Sequence, residues 1–321
     1  MKITWRWIIM VMALTVAAAA AAQNYPTRPV RLIVPFAPGG PTDVIGRLVA
    51  AKLSEAFGQQ VVVDNRAGAG GNIGTELASN ATPDGHTLLL VSSSFVVNPG
   101  LYAKIPYDPY KSFAPVSNLA TMSNVYVVHP SVAAKSMQEL VKVIQSAPKK
   151  YSFATPGIGT TPDLSAALFR LATKLDVAVI PYNGAGPAIV AVIANQVPLG
   201  CMAMPGVTPH IRGARLRGLA VTSAVRSAAF PDLPTMAESG FRGQESDTLQ
   251  ALLVPAGTPP AIVQRLHAAI VKIMAQPDVK ERMSSLGYDI VANSPGQLAA
   301  QIRSEVKKWS KVVKDAGITV E

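Results

Sequence analysis

Four histidines, one cysteine and three glycine-rich turns are the residues of this chain whose types and spacing could do chemistry. His86, His129, His210 and His267 lie far apart, without the HExxH-type spacing that sets two imidazoles on one metal. His129 abuts Pro130 at a strand end and His267 falls inside an amphipathic pattern, so they read as surface or packing residues. Cys201 lies in the apolar run Leu199–Met202, the setting of a buried structural thiol rather than of a nucleophile. No serine occupies a G-x-S-x-G elbow, and Asp64 and Asp108 lack an evident carboxylate partner. The expected inventory is therefore no catalytic residue, no metal site and no cofactor.

The turns are more informative. In VRLIVPFAPGGPTDVIGRLVAAKL, Val30–Leu53, an apolar run ends at the Pro- and Gly-rich turn Pro35–Pro41. Ile45, Leu48, Val49 and Leu53 then recur at helical spacing. Thr42 or Asp43 is the expected cap, and the first N–H groups of that helix point into a loop that Gly39 and Gly40 leave unobstructed. A bare helix N-terminus of this kind suits a negative group. Two further turns share the design, Gly157–Thr161 and Tyr182–Gly186. Thr160 and Thr161 add hydroxyl donors to the former, with Thr161 as cap and Pro162 in the first helical position. The segment Ala67–Gly74, AGAGGNIG, fails as a dinucleotide fingerprint. The third glycine of G-x-G-x-x-G would fall at Ile73, and Gly74 comes one residue late.

The elements that must position these turns alternate. Strands are expected at Val30–Val34, Gln60–Asp64, Thr87–Val91, Val125–Val128, Ser152–Ala154, Ala178–Pro181, Pro198–Met202, Leu216–Thr222 and Leu249–Val254. Helices are expected after the first turn and over Asn72–Ala81, Ser136–Ser146, Asp163–Lys174, Pro187–Ala194, Pro260–Met274, Pro277–Leu286 and Pro295–Ala316. Ser136 with Glu139 has the spacing of a capping box. Strands alternating with helices imply α/β architecture with parallel sheets. The middle of the chain runs its own βαβ series, and the last third turns helical. The expected organisation is thus a discontinuous lobe, 23–122 plus 250–321, and an inserted lobe, 123–249, with a hinge near Ala120–Val125 and Asp247–Leu252.

Lys2 and Arg6, the apolar run Ile8–Val16 and the alanines up to Ala22 read as a secretory signal peptide, residues 1–22. Removing 22 of the 321 residues leaves 299, about two domains' worth of chain. The single cysteine excludes an internal disulfide and is compatible with a periplasmic location. The net charge is +10, but the basic residues are scattered. Lys307, Lys308, Lys311 and Lys314 sit at helical spacing around Trp309 and Val312-Val313 as a solvated face. No nucleic-acid partner is expected; a mild positive field favours small anions instead.

YPTRPVRLIVPFAPGGPTDVIGRLVA at Tyr25–Ala50, VVVDNRAGAGGNIGTELA at Val61–Ala78 and ATPDGHTLLL at Ala81–Leu90 resemble the Bug family, the substrate-binding receptors of tripartite tricarboxylate transporters. NPGLYAKIPYDPYKSFAPV at Asn98–Val116, VPLGCMAMPGVTPHIRGARLRGLAVTS at Val197–Ser223 and LLVPAGTPPAIV at Leu252–Val263 continue the resemblance along the chain. It implies a two-lobed periplasmic binding protein fold of type II. It also implies capture of a small organic carboxylate between the lobes, delivery to the transporter's membrane subunits, and a monomer. The ligand-binding set it implies is Phe36, Pro38, Gly39, Gly40, Thr42, Asp43 and Ser93 on one lobe. Gly157, Thr160, Thr161, Asp163, Tyr182, Gly184, Met202 and Leu249 complete that set. Family members often carry His or another polar residue at the place of Asp163, Asp-Asn at Met202-Ala203, and Trp at Leu249. An edge of Met202, Met204 and Leu249 implies an apolar pocket and a monocarboxylate or aromatic acid rather than citrate. A periplasmic sensor on the same fold, and a hydrolytic or transferase enzyme, are the competing functions.

Overall fold

The computed structural model describes residues 25–320; the expected signal peptide, residues 1–22, lies outside them. The chain builds two sheets. The first takes β1 (Val30–Val34), β2 (Val61–Asn65), β3 (Thr87–Ser92), β4 (Phe113–Met122), β10 (Thr248–Pro255) and β11 (Asp289–Ile290), in the order β11-β4-β10-β3-β1-β2. The second takes β5 (Asn124–Val128), β6 (Ser152–Thr155), β7 (Ala178–Pro181), β8 (Leu199–Ala203) and β9 (Arg217–Val221), in the order β7-β6-β8-β5-β9.

Both sheets are mixed, which corrects the expectation of parallel ones. β1 runs parallel to β2 and β3, and β6 parallel to β7 and β8. By contrast β10 is antiparallel to both β3 and β4, and β5 is antiparallel to β8 and β9. The reason is the path of the chain. It leaves the first sheet along β4, enters β5 after the single residue Ser123, and returns along β10. Outgoing and returning strands lie side by side, so they must run in opposite senses. β4 escapes a periodicity search because Pro115, Ser117 and Asn118 interrupt its apolar pattern. Its polar positions are held from outside the ladder: Ser117 Oγ donates to Asn293 O, and Asn118 N donates to Asn293 Oδ1, both at 2.8 Å.

Alternating side chains sort each sheet between two helical layers. Leu32, Val34, Leu88, Leu90, Leu252 and Val254 face α1 (Pro41–Phe57) and α8 (Pro260–Ala275), packing with Ile45, Val49, Leu53, Leu266 and Ile270. Ile33, Leu89, Val91 and Leu253 point the other way. They meet Phe95 of α3 (Ser94–Leu101) and Leu298 and Trp309 of α10 (Pro295–Ala316). Between these lie α2 (Asn72–Ser79) and α9 (Pro277–Leu286). In the second sheet, Tyr126, Phe153 and Cys201 face α4 (Met137–Ser146) and α5 (Thr161–Thr173). Val125, Val127 and Met202 face α6 (Ala185–Ile193) and α7 (Met204–Arg212). At α4 the capping box is half present: Ser136 Oγ accepts from Glu139 N, but the Glu139 carboxylate accepts from Lys135 N, one residue earlier than the motif requires.

The two passages between sheets are polar and buried. Asn124, fully buried, donates its side-chain amide to Ser246 O and Ser165 Oγ and accepts from Thr248 Oγ1. Its backbone N–H donates to Thr222 Oγ1 at 2.9 Å. Ser123 Oγ bonds Ser223 Oγ at 2.6 Å. Both crossings thus share one hydrogen-bonded cluster of short side chains, each with its partner supplied by protein.

Candidate functional site

Each of the first two glycine turns ends in a helix braced by its own aspartate. In α1 the cap is Gly40 and Pro41 takes the first helical position. This corrects the expected caps Thr42 and Asp43, which sit second and third. Asp43 reaches back instead: its Oδ2 accepts from Gly39 N at 2.8 Å and from Arg47 Nε at 2.9 Å. Its Oδ1 accepts from Asn65 Nδ2 at 2.9 Å, and the same amide donates to Phe36 O at 3.0 Å. Burial pushes the Asp43 carboxyl up, but the bonds from Arg47, Gly39 and Asn65 outweigh it and hold it below the ordinary carboxylate value.

The same offsets recur in the second sheet. The cap of α5 is Thr160, not Thr161, and Asp163 is again third in the helix. Asp163 Oδ2 accepts from Gly159 N at 3.1 Å and Oδ1 from Thr155 Oγ1 at 2.9 Å. Here burial wins over these bonds and raises the carboxyl. Gly39 and Gly159 occupy equivalent places with φ of +83° and +74°, a conformation that favours glycine. Each aspartate satisfies its loop glycine, which leaves the N–H groups of the first helical turn at the open end. Pro41 and Pro162 contribute none.

The structure joins the second and third turns directly. Tyr182 N donates to Thr155 O and Gly184 N to Pro156 O, both at 2.9 Å. A Cβ on Gly157 would stand 3.2 Å from Tyr182 O. Thr160 folds onto its own loop, Oγ1 donating to Gly157 O at 2.8 Å. Buried Thr161 bonds Thr248 through their hydroxyls, tying α5 to the start of β10. Buried Ser93 serves the return crossing as well, its Oγ accepting from Leu249 N at 2.9 Å. Pro38 and Gly39 are exposed, while Phe36 is partly buried against the α1–α8 core.

Met202, Met204 and Leu249 do not form the expected apolar edge. Met202 and Met204 are fully buried in the α6–α7 core, and Leu249 packs on the α3–α10 face of β10, away from α1. Alternation of side chains along β8 and β10 dictates both placements. The inference of an aromatic or monocarboxylic acid loses the residues on which it rested. Behind Leu249 lies a cavity of about 200 Å³ bounded by Asp247, Glu245, Glu305, Lys308 and Gln301. Burial, with Asp289 nearby, pushes the Asp247 carboxyl up to about 7 against the pull of Lys308.

The remaining reactive residues stay apart. Cys201 is buried, and its burial pushes the thiol up. His86 packs its ring on Tyr25 at 5.3 Å, and His129 Nδ1 pairs with Ser131 Oγ. Among the described residues no three His, Cys, Asp or Glu side chains stand together to hold a metal. No described helix is long and apolar enough to cross a membrane. Two features escaped sequence reading. The Gly-x-x-x-Asp spacing of Gly39–Asp43 and Gly159–Asp163 was there to be found; the burial of Gln250 in β10 had no signal of its own.

Residues 45–318 match the family described as tripartite tricarboxylate transporter family receptor. The chain is 38% identical to Protein BugT of Bordetella pertussis over 304 residues, 94% of this chain and 93% of that protein. Its structure resembles R. palustris Rpa4515 with adipate, with a TM-score of 0.87 and 32% identity over 92% of this chain and 99% of the other. It also resembles MatC from Rhodopseudomonas palustris with bound malate, with a TM-score of 0.82 and 31% identity over 90% and 100% of the two chains.

Proposed function

Because the chain belongs to the tripartite tricarboxylate transporter receptor family, a family of solute-binding receptors, we propose that it is a periplasmic receptor for a small dicarboxylate. In this reading residues 23–122 with 250–321 form one lobe and residues 123–249 the other. The observation that carries it is the pair of matched turns, Gly39–Asp43 and Gly159–Asp163, each bracing a helix N-terminus at a strand end. One carboxylate at each N-terminus meets fixed N–H donors and the positive end of a helix dipole. Such charge-assisted bonds are about twice as strong as neutral ones. No step of chemistry is asked of either loop, so the acid leaves as it arrived and passes to the membrane subunits of the transporter. The structural neighbours bound to adipate and malate support a diacid.

The test uses Gly40. Its φ is −76°, and an added Cβ would meet nothing closer than Ala37 O at 3.7 Å. Gly40→Val should therefore fold normally while its side chain covers the open end of α1. Calorimetric titration with malate, adipate, citrate, glutamate and benzoate should show diacid binding in the unaltered protein and at least about a tenfold loss in the variant. Unchanged affinity in a folded Gly40→Val protein would move the clamp elsewhere. Mass spectrometry of acids that co-purify with the protein identifies the natural ligand class.

A further inference from the structure

Gln250 is fully buried in β10, and neither its side-chain nitrogen nor its side-chain oxygen has a partner. Its position in the sheet is defined. Gln250 is in register with Ser92 of β3 and Ala120 of β4. It shares the face of Leu252 and Val254, the face covered by α1. Leu32 is in register with Leu88, so the row that holds Ser92 and Gln250 meets the chain where β1 gives way to the loop at Phe36. The first turn of α1 stands over that end of the sheet. From the other sheet comes Ala203, which packs into the same core, while Met204 N donates to Ser123 O at 2.9 Å. The amide thus lies in the row of the sheet that runs toward the first loop, on the face whose core Ala203 enters from the other sheet.

We infer that Gln250 determines specificity in this site by taking a hydroxyl group of the bound acid with its side-chain amide. The inference rests on the receptor reading above. A buried amide with both ends unpaired is unfavourable and calls for a partner. Ala120, Met122 and Ala203 of this core are apolar, and Ser92, in register with Gln250, makes no hydrogen bond to the amide. A carboxylate satisfies only the amide N–H, because it has no proton to give to the amide oxygen. An ammonium would need a carboxylate, and both oxygens of Asp43 already accept from Gly39, Arg47 and Asn65. A hydroxyl donates and accepts from one atom, and so satisfies both ends of the amide. The ligand class is a hydroxy-substituted diacid.

Malate and succinate differ by that one hydroxyl and are the probes. Calorimetric titration of the unaltered protein should show malate bound at least about tenfold more tightly than succinate, since a site built for a hydroxyl rejects the analogue lacking it. Gln250→Leu and Gln250→Met, both close in volume, should erase most of that ratio, weakening malate about tenfold more than succinate. Two variants guard against a packing failure in either. Equal affinity for the two acids in the unaltered protein overturns the inference and leaves the receptor reading standing. So does an unchanged ratio, or an equal loss for both acids, in the folded variants. Absence of binding to any carboxylate overturns both.

Discussion

Removing the Asp43 carboxylate takes the acceptor from Gly39 N–H and from Asn65 at once. Asp43→Ala should cost about 1 kcal/mol of stability, the scale of a lost helix cap, and weaken ligand binding further because the loop loses its fixed shape; thermal melts and titration read the two effects separately. The pairing with Arg47 adds little, since that guanidinium is more than half exposed. Asp247 behaves differently. Its folded state favours the protonated acid, with a value near 7 against an ordinary 3.8. Its contribution is therefore complete below the ordinary value and is lost as pH rises through about 7. The ceiling on that loss is about 4 kcal/mol, and water reaching the group through its cavity brings the expected figure to about 2. Asp247→Asn should flatten the stability profile between pH 4 and 8 in denaturant titrations. A profile with unchanged slope would assign the pH dependence to other groups. Chain order exposes Asp43 and Asp163 as neighbours of glycine turns, but not which way their carboxylates turn. That depends on Asn65 and Thr155, which the fold brings in from adjacent strand ends.

At the level of elements, the loop before α5 leans on α3. A Cβ on Gly159 would come within 2.1 Å of Leu101 Cδ2, at a φ of +74°. Gly159→Ala should cost about 1–3 kcal/mol from backbone strain alone, and combining it with Leu101→Ala should recover the part due to the clash. The crossing strands are a second weak point. Asn124→Ala would take the side-chain partner from Ser246 O and Thr248 Oγ1 in a buried cluster, for an expected loss of about 2–4 kcal/mol in chemical denaturation. Most helices and the short strands were legible from apolar spacing and from proline at helix starts, as at Pro260, Pro277 and Pro295. β4, β11, α3 and α7 were not. β4 is stabilised by side chains from Asn293 and Gln301, remote in sequence, β11 is two residues long, and α3 carries Pro99 and α7 Pro205 and Pro209, which mask helical periodicity.

For the whole molecule, ligand that binds only the folded state must stabilise it. Diacid at a hundred times its Kd should raise the unfolding free energy by about 2.7 kcal/mol, read as a shift in melting temperature that grows with concentration. Closure of two lobes about the Ser123–Asn124 and Thr248 crossings should also reduce the radius of gyration in small-angle scattering, and a radius unchanged at saturation would argue against a hinge. The two-sheet plan was legible as two βαβ series with a return strand. The antiparallel ladders were not, because strand direction is decided by where the chain crosses, not by the composition of a strand.

The braces at Gly39 and Gly159 carry a kinetic corollary. Both loops owe their shape to carboxylates of their own chain, so under the proposed receptor reading they would not have to be organised by an entering acid. Little ordering entropy is then lost on capture. In the proposed receptor, escape would then wait on parting the two halves rather than on melting a loop. Dwell time should follow the opening rate and be nearly the same for acids of different affinity that share the closed state. A receptor with that property hands over its cargo when a partner pries it open, and holds on otherwise.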